Sequence, residues 1–268
     1  MASLEQKYQK KTDKEHILDN PDTYIGSIEN VEQPLYVFQD MHVDERNIAY
    51  NPGLFKLFDE GIVNCRDHYI RMKQQKSDEP VTQIHISIEN GSIMMYNNGN
   101  GIDIEKHPVH NVWIPELIFA HLRTSTNYDK TEKKITGGKN GFGFKLVLIW
   151  STYGKIETVD HVRQLKYVQE FENNLDIVHK PKITKCKSKP YTRVSFTPDY
   201  KRLGLSCLSQ EMVQLFQRRV YDIGGITPKD VKVKFNDSWI KVNDFKSYIH
   251  MYLDESQKKQ MIFQQVNE

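Results

Sequence analysis

The stretch ITGGKNGFGFKLVLIW, residues 135–150, sets four glycines within seven positions and then runs apolar without a break. Glycine is disfavoured in a helix by about 1 kcal/mol relative to alanine, so a cluster this dense marks a sharp turn or a backbone that something approaches closely. The helix-like run after Lys145 points to phosphate, because N–H groups at a helix start face outward and carry the positive end of the dipole. Two familiar phosphate loops do not fit. A Walker loop counted from Gly138 finds its second glycine at Gly143 but Phe144 in place of lysine. A dinucleotide fingerprint counted from Gly141 ends on Leu146. What remains is G-x-x-G-x-G over Gly138, Gly141 and Gly143, with Lys139 and Lys145 beside it. A flexible loop ahead of a core helix fits the same glycines, so the surrounding sequence decides.

Working outward, residues 123–143 are polar and glycine-rich and read as a long loop, preceded by a short helix in WIPELIFAHL. Further upstream, QIHISIE, Asn90-Gly91 and SIMMY alternate apolar and polar around a tight turn, the pattern of a β-hairpin. Leu54, Leu57, Phe58, Ile62, Cys65 and Tyr69 recur every three or four residues behind Pro52 and predict a long amphipathic helix. Downstream of the glycines come strand-like runs KIETV, LKYVQEF, LDIVH and TRVSF, a helix near 208–222, the strand VKVKF and a helix-like FKSYIHMYL. Helices and hairpins are segregated rather than alternating, so the class is α+β: one sheet covered by helices on one face.

The chain has 268 residues, 38% of them hydrophobic, enough for a substantial core, and its net charge is only +2. That balance argues against a general nucleic-acid coat. Cys65, Cys186 and Cys207 are scattered, which excludes a disulfide framework or a CxxC zinc site and suggests a reducing compartment. The polar N-terminus is no signal peptide, and no apolar run approaches the ~18 residues of a membrane helix.

Three polar groups carry the chemistry. Glu60, Asn64 and Asp67 stand at i, i+4 and i+7 on the long helix and share a face. A carboxylate one turn before an asparagine suits a held water beside a hard cation, and magnesium takes only one or two protein oxygens when phosphates supply the rest. A solvated helix face is the plainer reading. MMYNNGNGID, residues 94–103, closes a strand with an amide at Asn97 and with Gly99 and Gly101, which allow close approach of a ligand or simply form a turn. RTSTNYDK, residues 123–130, offers hydroxyls and an amide for ribose or phosphate.

The order of these pieces resembles the GHKL-type (Bergerat) ATP-binding fold shared by gyrase-type topoisomerases, mismatch-repair ATPases, heat-shock chaperones and histidine kinases. YQKKTDKEHILDNPDTYIGSIE, YNPGLFKLFDEGIVNCRDH, WIPELIFAHLRTSTNYD, KKITGGKNGFGFKL, KYVQEFENNLDIVHKPKIT and RRVYDIGG are similar to the N-terminal ATPase region of eukaryotic-type DNA topoisomerase II, from about Tyr8 to Leu253. The resemblance implies a two-layer sandwich, a mostly antiparallel mixed sheet under helices. It implies an N-terminal arm over residues 1–30 that is exchanged on dimerisation and an ATPase domain over 31–268. It implies ATP and magnesium (Mg2+) as cofactors, with Glu60 as general base and Asn64 as magnesium ligand. Asn97 would meet the adenine edge, with Asp67 helping to frame the base pocket. Ser125, Thr126 and Asn127 would contact ribose and phosphate. Gly138, Lys139, Asn140, Gly141, Phe142, Gly143, Phe144 and Lys145 would wrap the phosphates, and Tyr8 would reach the partner subunit's nucleotide.

Four residues depart from the family pattern: His68 replaces asparagine, Asn98 aspartate, Asp103 proline, and Phe144 a small residue. The resemblance places the transducer domain, with its γ-phosphate lysine, and the DNA-cleavage core outside this chain, which then reads as the ATPase head of a larger enzyme. Its function would be an ATP-operated gate that forms a homodimer and captures double-stranded DNA, with no membrane part. A nucleotide-binding dimerisation module with weakened hydrolysis fits the same residues. The location would be the nucleus for a cellular eukaryotic enzyme, and the host nucleus or a cytoplasmic replication site for a viral one. Lys180, Lys182, Lys185, Lys187 and Lys189 read as a solvated loop or as a patch toward transported DNA.

Overall fold

The computed structural model describes residues 11–122, 143–242 and 244–264. The architecture is α+β, with helices on one face of a nine-stranded sheet and a separate two-stranded ribbon beside them. The chain enters through α1 (Asp13–Asp19) and the single turn α2 (Pro21–Tyr24). Thr12 and Glu15 form a reciprocal capping box at the start of α1. Ile17 and Ile25 are buried in the main core, so this segment packs with the body of the single chain. The ribbon pairs β1 (Val31–Gln39) with β2 (His42–Tyr50).

The helix that carries Glu60, α3 (Pro52–Gln74), starts where Asn51 accepts a hydrogen bond from the Leu54 N–H and Pro52 supplies the first helical φ. Asn51 is fully buried, and its amide also donates to the carbonyls of Ile28 (2.6 Å) and Leu203 (3.1 Å), which pins the helix start to two distant segments. The predicted apolar stripe, Leu54 to Tyr69, faces the core together with Met72. Phe58 stacks on Phe216 of α6 (Gln210–Gly225) with ring centroids 4.1 Å apart and planes 7° from parallel.

The sheet contains β3 (Gln83–Glu89), β4 (Ser92–Asn98), β5 (Ser151–Asp160), β6 (Leu165–Glu172), β7 (Ile177–Val178), β8 (Lys182–Lys185), β9 (Tyr191–Pro198), β10 (Lys232–Phe235) and β11 (Ser238–Trp239). Its order is β11-β10-β3-β4-β9-β5-β6-β7, with β8 also on β6; only β10 on β3 is parallel. The β3–β4 turn is the expected Asn90-Gly91, both at positive φ. Alternation sends Ile84, Met95, Val194, Ile156 and Phe171 to the helix side. The opposite side carries a cross-strand row of Lys234, His85, Tyr96, Arg193, Glu157, Val168 and Lys182. The short helix α4 (Ile114–Ala120) and the glycine-flanked α5 (Gly143–Ile149) complete the helical layer. Residues 245–260 add α7 (Phe245–Ile249), a 3₁₀ turn at His250–Tyr252 and α8 (Glu255–Gln260).

Three local expectations need correction. The lysine-rich run is not all loop: Lys182–Lys185 is the strand β8, paired with β6, although all five lysines remain exposed. LDIVH shrinks to the two-residue strand β7, because Asn173, Asn174 and Leu175 adopt left-handed backbone and turn the chain. The ribbon β1–β2 was not anticipated from the sequence.

Candidate nucleotide site

Glu60 and Asn64 lie one turn apart on α3, and both border the start of α5. A β-carbon placed on Gly143 would lie 2.7 Å from Glu60 Oε2 and 3.7 Å from Asn64 Nδ2. The absence of a side chain at Gly143 lets the Glu60 carboxylate lie close to the backbone there. Asn64 Nδ2 donates to the Glu60 carbonyl at 2.5 Å, which leaves Oδ1 as the side chain's acceptor. Lys145, two residues further, is buried on α5, and burial alone pulls its pKa down to about 8. Asp67 and Asn97, one on α3 and one on β4, are both buried polar residues on the surfaces these elements turn toward each other. The Asn97 amide donates to the Asn98 carbonyl at 2.8 Å. Tyr8, Ser125, Thr126, Asn127, Gly138, Lys139, Asn140, Gly141 and Phe142 lie outside the described residues.

The glycines of NNGNG admit other parts of the chain. Gly101 has φ +72°, and a side chain there would overlap the Val159 carbonyl on β5. Gly99, at φ +126°, leaves room for His68: a β-carbon would stand 2.8 Å from its Nε2. The close approach is by the protein itself, and it seals the end of β4 against α3 and β5.

The four departures find structural partners. The Asn98 side chain accepts from the N–H groups of Thr82 (2.8 Å) and Gln83 (2.9 Å) and donates to Thr82 Oγ1 (2.8 Å). Asp103 pairs with Arg163 at 2.7 Å, and Arg163 also meets Glu105 and buried Asp160. The Phe144 ring packs edge-on against Phe119 (5.3 Å) and Phe196 (6.1 Å), and Gly61 makes space for it: a β-carbon at Gly61 would overlap Met95 Sδ and stand 3.3 Å from Phe144 Cε2. His68 is packed between Gly99 and Arg71, whose Nη2 lies 3.3 Å from its Nδ1. Burial, reinforced by Arg71, drives its pKa down to about 4, so the ring is neutral near pH 7. The Asn100 side chain opposes this shift as a hydrogen-bond partner of the ring, but burial outweighs it.

Sequence reasoning overlooked one side chain at the site, Lys56, which meets Glu60 at 2.6 Å; its position four residues ahead of the carboxylate was the available signal.

Among solved structures, the ATPase region of Saccharomyces cerevisiae topoisomerase II bound to ICRF-187 (dexrazoxane) superposes with a TM-score of 0.91 at 42% identity, over 97% of this chain and 69% of that one. The chain belongs to the topoisomerase II ATPase-region family. DNA topoisomerase 2 of Acanthamoeba polyphaga mimivirus is 44% identical over 266 residues, 97% of this chain and 21% of that protein. DNA topoisomerase 2 of Saccharomyces cerevisiae is 45% identical over 265 residues, 97% of this chain and 18% of that protein. The chain therefore spans about a fifth of the length of these curated relatives. No protein-family profile matches it. Glu60, Asn64 and Asp67 lie on α3 and Asn97 on β4; Asn98, Asp103 and Phe144 each have partners nearby, and His68 is buried. No described helix is long and apolar enough to cross a membrane.

Proposed function

We propose that the chain is the ATP-binding and ATP-hydrolysing head of a type II DNA topoisomerase, with Glu60 as general base. The observation that carries this reading is the meeting of the Glu60 carboxylate and the Asn64 amide at Gly143, where the glycine-rich segment enters α5. A carboxylate there is placed to orient a water toward the terminal phosphate and to accept its proton, while positioning and charge stabilisation supply most of the rate in phosphoryl transfer. Lys145 would give one such charge, and the glycine-rich residues 138–145 would supply backbone N–H groups. Asn97 and Asp67 would hold the base, Ser125, Thr126 and Asn127 the ribose and phosphates, and Tyr8 the nucleotide of a partner subunit.

Magnesium fits the donor set. Asn64 presents one amide oxygen, since its nitrogen is committed to the Glu60 carbonyl, and a single protein oxygen with phosphates and water makes an ordinary magnesium shell. Bound with the nucleotide, the ion would neutralise charge on the phosphate oxygens. In the whole protein the proposed partners are a second subunit, joined on ATP binding, and double-stranded DNA.

Glu60→Gln tests the reading. The variant keeps the shape but cannot accept the water's proton. It is expected to bind a non-hydrolysable ATP analogue with Mg2+ as wild type does and to hydrolyse ATP ~10²–10⁴ more slowly in single-turnover assays. Wild-type hydrolysis by the variant would remove Glu60 from the chemistry.

A further inference from the structure

The far edge of the sheet is open and cationic. Strands β7 and β8 both pair with β6 and, among the described residues, with no other strand, so together they form the last edge. Phe171 faces Val178 and Val168 faces Lys182, so the two β6 residues between them oppose three on the edge, 179–181. That is a bulge, and it holds Pro181 where proline is tolerated.

Hydrogen bonding decides which main-chain groups of β8 point outward. The Cys186 N–H donates to the Gln164 carbonyl at 2.8 Å. Bonded pairs recur at every second residue of an antiparallel ladder, so Thr184 and Lys182 bond to their partners Lys166 and Val168 on β6. The N–H and C=O groups of Ile183 and Lys185 therefore face away from the sheet. Charge lies along the same edge: residues 177–190 hold five lysines and no carboxylate. The carboxylates at this end of β6 are engaged elsewhere, Glu170 with Lys155 at 3.4 Å and Glu172 with His179 at 3.0 Å. Half-exposed Ile177 and Val178 add apolar surface at the β7 end. Lysines on an edge strand repel another edge of the same kind and protect it from self-association. Toward a strand of opposite charge they act in reverse.

We propose that β8 is a docking edge for an extended acidic peptide segment of a partner protein. The peptide adds a strand at Ile183 and Lys185, and its carboxylates meet Lys182, Lys185 and the lysines beside them. Main-chain pairing holds the peptide and the lysines select it. Only a strand answers both features: the phosphates of duplex DNA would use the lysines and leave the outward amides unpaired, and a second copy of this chain would set lysine against lysine. The surface shares no residue with the nucleotide site.

The test uses the full 268-residue chain and a fluorescein-labelled peptide of alternating glutamate and valine, with a lysine–valine peptide and a short DNA duplex for comparison. Anisotropy gives Kd, and NMR follows amide exchange at residues 182–185. The acidic peptide is expected to bind and the basic one not. Ile183→Pro removes one outward N–H while keeping every lysine and the bonds to β6; it should weaken the acidic peptide by about fivefold, as loss of one hydrogen bond does, and leave duplex binding unchanged. Replacing Lys182 and Lys185 by glutamine should weaken the peptide and make its Kd less sensitive to salt. In the unsubstituted chain, whose folding is not in question, the peptide should slow exchange at Ile183 and Lys185 and leave Lys182 and Thr184 as they were. Absence of binding overturns the proposal. So does binding that leaves the Ile183 and Lys185 amides unprotected or that survives Ile183→Pro with little change, since charges would then attract without an added strand. A duplex that binds more tightly than the peptide, and loses affinity with the same two lysines, assigns the edge to DNA and overturns the proposal as well.

Discussion

Lys145 sits 4% exposed on α5, with its pKa drawn down to about 8 by burial. A phosphate beside it would favour the ammonium, so above pH 8 nucleotide binding must take up a proton. Affinity for an ATP analogue is expected to be insensitive to this group below pH 8 and to fall above it, by up to about tenfold per pH unit. Calorimetry at pH 9 in buffers of different ionisation heat should register the uptake, and Lys145→Met should abolish it. His68 titrates at the other end of the scale. Its folded pKa of about 4 lies below the ordinary 6.5, so the unfolded chain binds the proton first as pH falls. Stability is full above pH 6.5 and drains away between 6.5 and 4, by an amount of the order of 3 kcal/mol for a displacement of this size. Melting temperatures of His68→Asn across that window should therefore decline less steeply than those of the parent.

At the scale of elements, two glycines of similar φ separate backbone freedom from space. Gly91, at φ +76°, lies in the hairpin turn, and a β-carbon added there would stand 3.3 Å from Tyr200 Cε2, whereas Gly101, at φ +72°, backs directly onto the Val159 carbonyl. Gly91→Ala is expected to cost about 1–2 kcal/mol, and Gly101→Ala about 3 kcal/mol or more, since overpacking adds to the left-handed strain. Chemical denaturation of the two variants checks the ranking. The same contrast shows what could be read beforehand. The α3 helix, the β3–β4 hairpin and α6 announce themselves by period and by turn residues, and Glu60 with Asn64 follows from helical spacing. The β1–β2 ribbon does not: its turn places Asp40 and Met41 at φ 50° and 65° without the glycine or asparagine that normally signals such a turn. The capping box of α1 was written in Thr12-x-x-Glu15 but stood in a short polar segment with a single buried residue, Ile17. The role of Asn98 was illegible because its partners, Thr82 and Gln83, lie 16 and 15 residues away across a strand pair. The glycines of NNGNG were legible as places of close approach, but not the identity of what approaches.

For the molecule as a whole, a nucleotide that binds only the folded state should raise the melting temperature with Mg2+ and less so after chelation; at 100 times Kd the gain is about 2.7 kcal/mol. The exposed lysines around β8 allow a second whole-molecule test. If Lys180, Lys182 and Lys185 touch duplex phosphates, replacing all three by glutamine should flatten the salt dependence of DNA binding by about 2–3 in log–log slope. An unchanged slope would leave them as solvated residues. The sheet order also governs how the chain can be made. Strand β9 lies between β4 and β5, although it is translated after both. On the ribosome, the β3–β4 and β5–β6 hairpins emerge as separate pieces, each with an open edge, and no strand pairing joins them into one sheet until residues 191–198 appear. Asn97 and Thr158 belong to different pieces until Thr192 is inserted between them in register. Such non-local pairing is slow, and unpaired edges invite association with other chains. A nascent chain halted before Tyr191 would hold Glu60, Asn64, Asn97 and Lys145 already synthesised, yet without the strand that brings the two halves of the sheet together; the nucleotide site is complete in sequence long before it can exist in space.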